Sequence, residues 1–135
     1  MPNEGGVSQE FLSAVRWASE QAAQSDDEAV RFIIHYVPVY AQARPTREQA
    51  IAGGCVRCTY LGLWTSSWPG YPDAIHGTIW VFEEGIRAQG GDLYQQTLAT
   101  LKHEIDHALE RDHVLEHLKQ AKAAAMVRPQ FGCCR

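Results

Sequence analysis

In Gly90-Gly91-Asp92-Leu93-Tyr94-Gln95-Gln96-Thr97-Leu98-Ala99-Thr100-Leu101-Lys102-His103-Glu104-Ile105-Asp106-His107-Ala108-Leu109, two glycines interrupt whatever precedes them and an aspartate stands ready to cap a helix. Tyr94, Leu98, Leu101, Ile105 and Leu109 then recur on a single face, the spacing of an amphipathic helix. His103 and His107 are four residues apart on it. At the helical period their side chains differ by only about 40° and stand one turn from each other, so both rings can reach one point. With His103 set at 0°, the leucines and Ile105 cluster at about 180°. The apolar stripe is therefore expected to pack into the core while the histidines face away from it.

Glu104 sits about 100° round from His103, awkwardly placed to share a ligand position but within reach of a water in an open coordination site. The chemistry of the pattern H-E-x-x-H follows from this arrangement. Two neutral imidazoles hold zinc, and the intervening carboxylate takes a proton from the attacking water. The competing description is a surface helix with solvated histidines. His35 and His76 lack such a context and read as packing or surface histidines.

The longer run His103-Glu104-Ile105-Asp106-His107-Ala108-Leu109-Glu110-Arg111-Asp112-His113 resembles the zincin metallopeptidases, with its third histidine at the spacing of the metzincin group. The resemblance implies a zinc peptidase acting on a peptide or protein substrate. It implies His103, His107 and His113 as metal ligands and Glu104 as general base. It also implies a strand just before the active-site helix, at the edge of a mixed sheet, a place that residues 75–83 would occupy.

One departure from the family pattern concerns Glu110, where metzincins carry the glycine that lets the chain turn back to the metal. A left-handed turn at a non-glycine residue costs about 1 kcal/mol. Were the helix to run straight on, His113 would lie about 15 Å beyond His103 along the axis and could not share the ion. His113 therefore ranks first as third ligand, with Glu116 second and Glu110 third; His117 is a candidate if a second helix folds back. Asp112 would cap a helix over residues 114–125, which would supply the break that His113 needs.

Two further patterns compete with this reading. His113-Val114-Leu115-Glu116-His117 matches the inverted motif H-x-x-E-H, but few residues follow it to provide the downstream ligand. Ribosome-maturation endoribonucleases share three histidines at the same spacing and an Asp-His ending, yet carry glycine where this chain has Glu104. A zinc-binding domain without turnover is the third alternative.

Outward from the motif, Ser8 caps an expected helix over residues 9–23 that presents Phe11, Leu12, Val15, Ala18 and Ala22. Ser25 and Glu28 could form a capping box, but the β-branched and aromatic run over residues 30–40 favours a strand. A short helix over 46–52 stops at Gly53-Gly54. Residues 55–64 and 75–83 read as strands around a loop rich in Ser, Pro and Gly. The expected fold is α+β, a small mixed sheet packed on helices, zincin-like by the resemblance, in one domain over residues 1–135.

Composition is consistent with this outline. The 135 residues are 45% hydrophobic and 21% charged, ordinary for a globular chain long enough to bury a core. A net charge of −4 gives no electrostatic footprint for nucleic acid. Glu4 and the glycines near it do not form a secretory signal, and Arg31 and His35 interrupt the most apolar stretch, so a cytoplasmic protein without a membrane span is expected. Cys55 and Cys58 form a C-x-x-C pair, and Cys133 and Cys134 lie near the end of the chain. Together they could make a structural zinc site, but adjacent cysteines point apart, and free or occasionally oxidised thiols are the favoured reading. A bolder one folds the Cys133 or Cys134 thiolate onto the catalytic zinc.

Overall fold

Ser8 opens the first helix as its cap, accepting from the Phe11 N–H at 3.1 Å. That helix, α1 (Gln9–Ala23), buries Phe11, Leu12, Ala14, Val15, Ala18 and Ala22 on one stripe. The computed structural model describes residues 3–4, 6–66, 68 and 76–111. Within them the order is β1 (Asn3–Glu4), α1, α2 (Glu28–Tyr36), β2 (Val39–Gln42), α3 (Arg47–Ala52), β3 (Gly62–Thr65), β4 (Thr78–Phe82), α4 (Glu83–Ala88) and α5 (Leu93–Arg111).

Residues 30–40, expected as one strand, divide into the end of α2 and the start of β2. Asp27 rather than Ser25 caps α2, accepting from Ala29 N–H at 2.9 Å, while Ser25 Oγ accepts from Asp27 N–H at 3.0 Å. Ala29 and Ile33, one turn apart, face the core. Pro38 then decides where the helix ends. The residue before a proline is pushed out of the helical region, and Val37 is extended at φ −103°, ψ 121°. Strand geometry therefore begins only at Val39.

The four strands form one mixed sheet in the order β1-β2-β4-β3. β2 runs parallel to β4 with Val39 opposite Ile79 and Gln42 opposite Phe82. β3 is antiparallel to β4 and pairs Gly62 with Val81 and Thr65 with Thr78. Two expectations are corrected by this topology. Of residues 55–64 only the last few join the sheet, residues 55–61 forming turns and bends. The strand preceding the motif helix is not at the sheet edge, because β4 is paired on both sides. Among the described residues the edge beside it is β3.

Alternation along β4 feeds two cores. Ile79 and Val81, with Ala41 and Trp64, join the side chains of α1, α2 and α5. Trp80 and Phe82 point to the other face, where Leu63, Tyr60 and Ala50 cover them. With both faces covered, every residue of β4 is buried. Tyr60 ties the segment entering β3 to the end of α3. Its hydroxyl accepts from Cys55 N–H at 3.1 Å and lies 2.9 Å from the carbonyl oxygens of Ala50 and Cys55. The helix α3 carries a full capping box between Thr46 and Gln49, and Gln49 exchanges side-chain hydrogen bonds with Gln42 of β2 at 2.8 and 3.0 Å.

A carboxylate fastens the start of α1 to the end of β4. Glu83 accepts from Ser8 N–H at 2.9 Å, from Ser8 Oγ at 2.7 Å and from Arg87 Nε at 2.7 Å. Arg87 also reaches Glu10 at 3.0 Å. Burial pushes the Glu83 carboxyl up, but the two Ser8 donors and the Arg87 guanidinium outweigh it and hold the pKa below the usual carboxylate range. A depressed folded-state pKa gives stability that is present above the unfolded value and is lost as pH falls through the folded one. Glu83→Gln is expected to cost about 1–3 kcal/mol at neutral pH. Thermal melts from neutral to strongly acidic pH should also show a shallower acid limb in this variant; an unchanged limb would place the acid sensitivity elsewhere.

Candidate metal centre

The helix carrying the histidines is anchored at its start, along its length and on both flanks. Gly90 and Gly91 take positive φ values of 77° and 79°, a turn open to glycine at no steric cost. Asp92 then accepts from Gln95 N–H at 2.9 Å and starts α5. Tyr94 meets Trp17 of α1 edge-on, ring centres 5.6 Å apart. Leu101, Ile105 and Ala108 are buried in the helical core, with Leu98 and Leu109 packed at its margin.

A second buried stripe lies beside the apolar one. Thr97, Thr100, Glu104 and His107 recur at helical spacing and are all buried, Glu104 at 0% exposure and His107 at 5%. The expected picture of a helix with an apolar back and an open front is corrected here. Of His103, Glu104 and His107 only His103 is exposed, while Glu104 lies against β3, where Gly62 passes close to its side chain. Neither the threonines nor Gly62 were singled out from sequence. The signals present were small polar residues leading to Glu104 at helical spacing, and an isolated glycine inside a strand pattern, which marks a close backbone approach.

The two imidazoles converge. Their Nε2 atoms are 3.0 Å apart, and the rings meet edge to face with centres 4.6 Å apart. Two nitrogens bound tetrahedrally to one zinc would be about 3.3 Å apart, close to the spacing of this hydrogen-bonded pair. His103, Glu104 and His107 form a group that could hold a metal, one ligand atom from each lying within 4.8 Å of the others. Glu110, a lower-ranked candidate ligand, is half-buried on the same helix and is not in that group.

The expected ligand His113 lies outside the described residues, as do Glu116, His117, Cys133, Cys134 and the helix expected over 114–125. α5 extends through Glu110 to Arg111. The chain is thus still helical at the position where the zincin resemblance places its turn. His35 is a surface histidine and His76 a half-buried one. His35 meets Tyr36 edge-on, as His76 does Phe32 and Tyr36.

Cys55 and Cys58 are joined as a disulfide, with Cα atoms 5.5 Å apart. Of the expected free or occasionally oxidised thiols, this pair takes the oxidised form, because the turn after α3 brings the two together. A cystine holds no thiolate for a structural zinc. Disulfides are rare in the reducing cytoplasm, which sets this pair against the expected location. Among the described residues no helix is long and apolar enough to cross a membrane.

Comparison with known protein families finds no family model that matches this chain, and comparison with curated proteins finds no match.

Proposed function

We propose that this chain is a zinc-dependent metallopeptidase of minimal, zincin-like form, in which His103 and His107 hold the ion and Glu104 is the general base. The observation that carries this reading is the convergence of the two Nε2 atoms at 3.0 Å, with a carboxylate from the intervening turn in the same group. The donor chemistry supports zinc over magnesium or calcium, which prefer all-oxygen shells. His113 is the foremost third ligand in this reading.

When bound, zinc supplies the Lewis acidity that makes water nucleophilic at neutral pH. The chain's own residues do the rest. Glu104, held between α5 and β3, accepts the proton of the attacking water and returns it to the leaving amine. The strand β3, an edge among the described residues, supports a peptide substrate, since an extended chain can add to a sheet edge through main-chain hydrogen bonds. The net charge of −4 argues against a nucleic-acid substrate. A cytoplasmic site of action would require the Cys55–Cys58 pair to be reduced there.

Protein purified without added metal is expected to carry about one zinc per chain by elemental analysis. It should cleave a mixed peptide library, lose that activity to a chelator and regain it with zinc. A metal-free protein that also fails to take up zinc would sink the proposal. Cleavage of RNA without cleavage of peptides would favour the endoribonuclease alternative.

A further inference from the structure

At Gly62 the sheet edge comes close to Glu104. A Cβ placed on it would lie 2.9 Å from Glu104 Cγ, 3.0 Å from Thr100 Cγ2 and 3.1 Å from Glu104 Oε2. Carbon atoms in good contact stand about 3.5–4.0 Å apart, so there is no room for even one methyl group. The objection is one of space alone, because Gly62 is not among the glycines with positive φ.

Neither side of this contact can retreat easily. On one side, β3 is held in register by the pairing of Gly62 with Val81, and β4 is buried along its whole length. On the other, Glu104 and Thr100 are buried at 0% and 5% exposure, and Thr100 is β-branched and stiff about χ1. Leu101, Ile105 and Ala108 lock the adjoining face of α5 into the core. The softest response to an added Cβ is rotation of the Glu104 side chain about its own torsions, which carries the carboxylate away from its present place beside the histidines.

We propose that Gly62 is a positioning residue, its missing side chain on the edge strand setting where the Glu104 carboxylate stands relative to His103 and His107. This inference rests on the reading of that group as a catalytic metal site. Gly62 touches neither imidazole ring among its three nearest contacts, so it acts on the carboxylate and leaves the metal-holding pair alone.

The test is Gly62→Ala in the full chain, with cobalt(II) as a visible probe of the site. Cobalt should bind as tightly as in the wild type, since the histidines are untouched. Its visible absorption band should shift, because the carboxylate beside it has moved. In the zinc-loaded protein kcat should fall about 100-fold with KM unchanged, the scale expected for a misplacement of the order of 1 Å.

An unshifted band, or an unchanged kcat in a variant that folds, overturns the proposal. So does outright loss of cobalt binding, which would make Gly62 a support for the whole helix. If Gly62→Ala does not fold, the variant Gly62→Ala/Glu104→Ala/Thr100→Ser should fold, because it removes both the carboxylate side chain and the Thr100 methyl group that the new Cβ would meet. Failure of both to fold also overturns the proposal. If the wild type cleaves no peptide, the peptidase reading fails by itself, and the cobalt band still decides the role of Gly62.

Discussion

Glu104→Gln is expected to keep its zinc and to lose turnover, with kcat falling by about 10²–10⁴-fold. Glutamine has nearly the same volume and shape, so it should take the place of the glutamate in the buried interface without displacing its neighbours. What changes is the ability to take up a proton, which the amide lacks. Peptide cleavage measured alongside elemental analysis separates the outcomes. Retained turnover removes Glu104 as general base. Loss of the metal would make it a ligand, which its membership of the three-residue group makes worth testing.

Removing either imidazole should abolish zinc binding, but the two variants should differ in what else they cost. His103 is exposed, so His103→Ala should change the stability of the metal-free protein by no more than about 0.5 kcal/mol. His107 is 5% exposed and packed into the second buried stripe, so His107→Ala removes the same ligand and also opens a void. Its metal-free form should be less stable by about 1–3 kcal/mol. Denaturant unfolding of both apo variants, next to zinc titrations, tests the pair. Equal stability losses would contradict the burial difference, and full zinc occupancy in either variant would remove that histidine as a ligand.

The features legible from sequence were those decided within a few residues of chain. Ser8 caps α1 where expected, the segment from Gly90 to Asp92 starts α5, and His103 and His107 meet because a four-residue spacing on a helix brings them together whatever surrounds it. Each of these rests on backbone geometry or on a hydrogen bond between near neighbours. The β-branched and aromatic content of the run from Val30 to Tyr40 favours a strand throughout, whereas Asp27 and Pro38, which lie outside its apolar pattern, make it helix and then strand.

Tertiary structure decided the rest. Strand order places β4 inside the sheet and leaves β3 at its edge, and no local pattern encodes which strands become neighbours. On a helical wheel Glu104 stands between the apolar stripe and His103, and it is fully buried because a glycine far away in sequence lets the sheet edge approach. By itself the sequence determined that two imidazoles and a carboxylate share one helix. Packing against β3 determined which of them solvent can reach, since burial depends on what the rest of the chain brings alongside.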